Sequence, residues 1–273
     1  MNKDPPEPIM VNLRRAYVDC RYGQMHLRTA FPSTGGFDER TTLVCLHRCP
    51  AASSSFATFL AEIARDRSVY APDTPGFGES DPPPSRPTVA DYAAAIGDVI
   101  DALRLREVDV LGHHDGAAIA AELAIARPSL VRRLILVGLP LIPAGGRGET
   151  PASPPLAEDG SHLEPAWRSL RERGGPGTPL AQLAAEFVDR LRAGPNAAWG
   201  GAATDAWVAA ERLKLITQRT LVLRPKDGFW EDTPRARPWL RAAEWHDLPE
   251  LGPALFALAP GQVAAELRRF LDR

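Results

Sequence analysis

The stretch Val108-Asp-Val-Leu-Gly-His-His-Asp-Gly-Ala-Ala-Ile-Ala120 runs from apolar, β-branched residues through two glycines into a row of small side chains. Residues 108–111 have the composition of a buried strand, and Ala117 onward that of a helix able to pack closely against it. Gly112 and Gly116 flank His113, His114 and Asp115 where the chain must turn from strand into helix. Glycine at such points permits a tight turn and lets two backbones approach.

The same grammar repeats outward from this segment. Residues 42–46, 68–71, 134–137 and 221–223 are short apolar runs bounded by loops, as parallel strands buried on both faces should be. Thr88 opens a helix with Asp91 three residues on, and Tyr92, Ile96, Val99, Ile100 and Leu103 follow at helical spacing. Val263, Leu267, Phe270 and Leu271 repeat that pattern after Pro260, while residues 13–31 alternate polar and apolar as an opening β-hairpin. Alternating strands and helices predict an α/β fold, a mainly parallel sheet flanked by helices. Residues 141–217 break the alternation with a Pro/Gly-rich stretch, Trp167, and a helix carrying Leu180, Leu183, Ala184, Phe187 and Leu191 on one face. The predicted organisation is a core of residues 1–140 and 218–273 with an inserted helical cap, 141–217, whose glycine- and proline-rich borders at 143–148 and 174–177 are candidate hinges.

Composition narrows the function classes. Lys+Arg 32 against Asp+Glu 34 gives a formal net charge of −2, without the clustered positive charge that nucleic acid requires. Three cysteines, Cys20, Cys45 and Cys49, are too scattered for a disulfide framework or a CxxC zinc site. The opening MNKDPPEPIM lacks the apolar core of a signal peptide, and the longest apolar run is too short to span a bilayer. The expectation is a soluble, cytoplasmic protein that meets a small molecule rather than nucleic acid or membrane. With no G-x-G-x-x-G or Walker loop, and histidines without metal-ligand spacing, neither cofactor nor metal is implied.

Gly112-His113-His114-Asp115-Gly116 resembles the G-x-S-x-G nucleophile elbow of the α/β-hydrolase superfamily, whose central side chain is held exposed above the sheet. Leu46-His47-Arg48-Cys49-Pro50 is similar to that family's His-Gly-x-Pro oxyanion loop, and Ala71-Pro-Asp-Thr-Pro-Gly-Phe-Gly-Glu-Ser-Asp81 to its A-P-D-x-x-G-x-G-x-S-D stretch. The resemblance covers residues 40–140 well and 218–272 less closely, and it implies an α/β-hydrolase fold with Asp227 at the acid position. Two triad positions depart from the pattern. His114 stands where the family has serine, and in Leu248-Pro-Glu-Leu-Gly-Pro-Ala-Leu-Phe256 the expected catalytic histidine is Pro253. A serine hydroxyl needs an oriented imidazole to take and return its proton; with both missing, ordinary serine-ester hydrolysis is not expected.

An imidazole on the elbow reaches further than a hydroxyl, so His114 is expected to approach Asp227 directly or through one water. The resulting dyad would act as a general base, or nucleophile, since imidazole titrates near neutrality (~6.5). Such a base activates water, or removes a proton for elimination, retro-aldol cleavage or cyclisation of a small apolar metabolite. The competing reading is a catalytically silent ligand-binding or scaffold protein in which His114 fills a retired site.

Around this pair, the resemblance implies an oxyanion hole from the backbone N–H groups of Asp115 and Arg48. The Arg48 guanidinium is either a substrate contact or solvated. Asp115 either complements the helix dipole or points inward, where it would oppose an oxyanion. Cys49 is a thiol candidate or a small buried hydrophobe. His47 is expected to brace the loop, and His162 with Trp167 to roof the pocket or to form a capped helix start with Trp167 in the cap's own core. His113 reads as local packing, and His26 and His246 as scaffold.

Overall fold

The structure, a computed structural model, describes residues 11–32, 40–141, 156–175 and 177–273; the hinge at 143–148 and the N-terminal segment 1–10 lie outside them. The alternating residues near the N-terminus form an antiparallel ribbon, β1 (Asn12–Cys20) and β2 (Gly23–Phe31), turned through Gly23 at φ 112°. β2 pairs antiparallel with β4 (Arg67–Pro72). From β4 onward every pairing is parallel, through β3 (Arg40–Leu46), β5 (Val108–His113), β6 (Val131–Val137), β7 (Arg219–Pro225) and β8 (Glu244–Leu248). The eight-stranded sheet has the order β1-β2-β4-β3-β5-β6-β7-β8.

The register of the central strands decides which loops meet. Leu46 pairs with Gly112, which sets the loop after β3 beside the turn after β5. His113 pairs with Val137, and Val137 in turn with Leu223, so the ends of β6 and β7 follow on the other side. Residues far apart in sequence therefore converge at the carboxyl ends of adjacent strands.

On one face, α1 (Ala57–Ile63), α8 (Leu255–Leu258) and α9 (Pro260–Leu271) bury Phe56, Phe59, Leu60, Phe256 and Phe270. Phe256 lies edge-on to both Phe56 and Phe59, with centroids 4.8 and 5.1 Å away. The other face is covered by α2 (Val89–Ala102) and α3 (Asp115–Ala126), with Tyr92, Ile96, Ile119 and Leu123 against the sheet. Each such side chain contributes about 1.5–3 kcal/mol on burial. The start of α2 is the predicted capping box, Thr88 and Asp91 each satisfying the other's backbone N–H.

Between β6 and β7 the described residues contain α4 (Leu163–Gly174), α5 (Leu180–Ala193), α6 (Trp199–Ala206) and α7 (Ala209–Arg212), and no strand. No helix among the described residues is long and apolar enough to cross a membrane.

Asp73, just after β4, ties the loops below the site together. It accepts hydrogen bonds from His26 Nδ1 (2.7 Å), the Ser53 N–H (2.8 Å) and the Glu79 N–H (3.0 Å). Burial alone would raise its carboxyl, but these donors bring it down to about 2. Its folded value lies below the unfolded one, so its stabilisation is present above the unfolded value and is lost as pH falls toward the folded one. The linkage amounts to about 2 kcal/mol. Asp73→Asn is expected to lose about that much at neutral pH, with the gap to wild type closing between about pH 4 and 2. Urea unfolding at several pH values checks this, and a pH-independent gap would contradict it.

Candidate active site

The turn after β5 holds His114 at φ 51°, ψ −115°. This region costs a non-glycine residue of order 1–3 kcal/mol, so the surroundings must enforce it. They do so through the backbone: the His114 N–H donates to Val137 O (2.9 Å) and its carbonyl accepts the Ala117 N–H (2.8 Å). A Cβ on Gly112 would fall 2.2 Å from Gly116 O, and one on Gly116 would fall 2.3 Å from Leu46 O. Only glycine lets strand, helix and neighbouring loop meet this closely.

Asp227, on the loop after β7, places Oδ2 2.8 Å from His114 Nε2. The carboxylate is fully buried and the imidazole 11% exposed. Oδ1 accepts the Phe229 N–H at 2.8 Å, which fixes the carboxylate's orientation, and the Phe229 ring stands edge-on to His114 with centroids 4.7 Å apart. Gly138, at φ 59°, completes the fit; a Cβ there would lie 2.6 Å from Asp227 Oδ2 and 2.7 Å from His114 Cδ2. In this arrangement Nε2–H donates to the carboxylate and Nδ1 keeps a lone pair, the tautomer a base requires.

The loop after β3 is braced by His47, whose Nδ1–H donates to Arg48 O (2.9 Å) while Nε2 accepts the Thr74 N–H (2.8 Å). In this loop the Cys49 N–H donates to Asp115 Oδ2 at 3.2 Å. Asp115 is the first residue of α3 and is buried. Its carboxylate occupies the ground where an oxyanion would seek donors. The Cys49 thiol packs against Gly200 of α6, where an added Cβ would lie 2.3 Å from Sγ. The Arg48 guanidinium, about one-fifth exposed, pairs with Glu186 of α5 at 2.5 Å. Ser54 donates to Asp189 one turn further along α5, also at 2.5 Å, and burial raises the Asp189 carboxyl.

His113 is 1% exposed, and neither ring nitrogen has a hydrogen-bond partner among the described residues. Burial, assisted by the nearby His114 and Arg48, pushes its imidazole well below the usual range and keeps it neutral. It borders a cavity with room for about one water (about 10 Å³), together with Arg48, Gln182, Glu186, Pro253 and Phe256. Pro253 thus lines the same cavity as His113. His246 lies on β8, 3.1 Å from Glu266, and His26 is bound to Asp73.

His162 and Trp167 are not brought to this centre. His162 Nδ1 accepts the Ala157 N–H at 3.1 Å and stands at the start of α4 with no side-chain capping bond there, while Trp167 packs edge-on against Phe187 between α4 and α5. Sequence reasoning missed Gly138, Phe229 and Glu186. For Glu186 a signal existed, since Glu186 and Asp189 are buried carboxylates on the inner side of an amphipathic helix.

A sequence model of the alpha/beta hydrolase fold matches residues 41–224. The chain is 40% identical over 93 residues to a 2-hydroxymuconate semialdehyde hydrolase of Pseudomonas sp. (strain CF600), covering 32% of this chain and 31% of that protein. It is 38% identical over 88 residues to a 2-hydroxy-6-oxo-2,4-heptadienoate hydrolase of Pseudomonas putida, 32% of each chain. These matches span about a third of the relatives' length. Among solved structures, the enol-lactonase from Burkholderia xenovorans LB400 superposes with a TM-score of 0.78 at 14% identity, over 94% of this chain and 100% of that one. An esterase from Rhodococcus sp. ECU1013 gives 0.77 at 22% identity, over 95% and 98%. At such identities the likeness is one of fold.

Proposed function

Because the chain belongs to the α/β-hydrolase fold family, we propose that it is a cofactor-free enzyme in which His114, oriented by Asp227, serves as general base toward a small apolar metabolite. The observation that carries this reading is the 2.8 Å contact between an elbow imidazole and a fully buried carboxylate. Nδ1 of His114 takes a proton from water or from a substrate C–H bond, and Asp227 stabilises the imidazolium that forms. The same proton then returns to the leaving atom, which closes the cycle.

Asp115 limits what the loop after β3 can contribute. With its carboxylate 3.2 Å from the Cys49 N–H, negative charge developing against that loop is opposed. An enolate and a tetrahedral anion are opposed there alike, so what the dyad contributes to either reaction is proton transfer. The names of the Pseudomonas relatives support a small organic substrate. Residues 141–217 are assigned as a cap over the core of 1–140 and 218–273, supported by the contacts of α5 with the loop after β3.

The test is a panel of activated aryl esters and of enolisable ketones in deuterated water, followed across pH for wild type and His114→Ala. Hydrolysis or C–H exchange should fall by about 10²–10⁴ in the variant. If both proteins match the buffer blank, the enzymatic reading falls and the ligand-binding alternative takes its place.

A further inference from the structure

We propose that His113, His114 and Asp227 form a site for a borderline divalent transition cation, Zn²⁺ or Co²⁺. The inference is independent of whether the dyad catalyses. One ligand atom from each of the three residues lies within 4.8 Å of the others. Successive side chains of a strand face opposite ways, so adjacent histidines do not ordinarily converge. Here the left-handed turn at His114 folds its ring back beside that of His113, with centroids 4.1 Å apart. This is why the sequence, read for spacing, offered no ligand set.

His113 is the second and separate observation. It is buried, and both ring nitrogens lack a hydrogen-bond partner among the described residues. A buried polar side chain of this kind calls for a partner, and a neutral imidazole is a ready metal ligand. Two imidazole nitrogens and one carboxylate oxygen suit zinc and its neighbours better than soft or purely oxygen-seeking ions. Bonds of about 2.0–2.1 Å on a tetrahedron set ligand atoms about 3.3 Å apart, so cation binding asks the three atoms, now within 4.8 Å, to shift to that spacing. The Phe229 N–H on Asp227 Oδ1 supplies the outer hydrogen bond that orients the carboxylate ligand. A bound cation takes the place of the proton between His114 and Asp227, so metal and base activity exclude one another.

The experiment uses the full chain, free of any histidine tag and stripped with chelator, titrated near neutral pH with Co²⁺ while visible ligand-field absorption is followed. Zn²⁺ is then added in competition. One Co²⁺ per chain, displaced by Zn²⁺, is expected. Asp227→Asn and His113→Leu, each checked for folding by circular dichroism, should weaken binding by at least about tenfold, since loss even of outer-shell partners costs 10–100-fold. His162→Ala should change nothing. No absorption band with folded wild type in metal excess, or binding that survives both ligand variants, overturns the proposal. Turnover is measured separately in EDTA: a His114-dependent rate there upholds the dyad whatever the titration shows, and its absence leaves the metal result standing.

Discussion

Asparagine at position 227 is expected to lower the His114-dependent rate by about 10³–10⁴-fold with little change in KM or in the unfolding midpoint. The shapes of the two side chains are nearly the same; what changes is the tautomer they impose. Asp227 Oδ1 accepts the Phe229 N–H, so in Asp227→Asn the amide oxygen is drawn to that donor and the NH₂ faces His114 Nε2. Nε2 must then accept, the proton moves to Nδ1, and the lone pair that faced the substrate is gone. An imidazolium formed during turnover also loses its counter-charge. Steady-state kinetics on whichever substrate the panel identifies, alongside a thermal melt, separates this from unfolding. An Asp227→Asn enzyme within a few-fold of wild type would mean that Asp227 only fills space.

The second large effect concerns folding. Gly112→Ala is expected to destabilise the protein by about 3–5 kcal/mol, at the far end of what single substitutions do. The new Cβ would lie 2.2 Å from Gly116 O and 2.5 Å from Ala117 Cα. Both obstacles are backbone, so no rotamer change relieves the overlap; the first turn of α3 must move off β5. Equilibrium urea unfolding, or recovery in the insoluble fraction on expression, reports the loss. Wild-type stability in Gly112→Ala would refute the claim that close backbone contact builds this turn.

The parts of the fold that read clearly from sequence were those in which local pattern and tertiary role coincide. The runs inside β3, β4, β5, β6 and β7 are apolar because both faces of those strands are covered. The Thr88–Asp91 box marks α2 because capping is a local hydrogen-bond problem. β8 (Glu244–Leu248) is harder to read, since an edge strand with mostly half-buried side chains carries no apolar run.

The candidate site divides in the same way. His114 stands out from the glycines around it, but its contact with Asp227 crosses 113 residues and depends on the register of three strands. Arg48 was ambiguous because its partner, Glu186, lies 138 residues away on a helix whose docking no local pattern reveals. That the Cys49 amide meets Asp115, 66 residues away, is a matter of loop geometry. His113 read as packing because strand alternation sends it away from His114, until the positive φ of the next residue reverses that.

Everything that positions residue 114 belongs to its neighbours: an N–H to Val137, a carbonyl to Ala117, two glycines that admit no side chain, and no capping bond from the imidazole itself. The frame is therefore indifferent to the identity of the group it displays. A single codon change can exchange one reacting atom for another at the same point in space without asking the chain to fold anew. Chemistry and architecture are thereby separately heritable at this position, and a designer who writes a different nucleophile there inherits the same freedom.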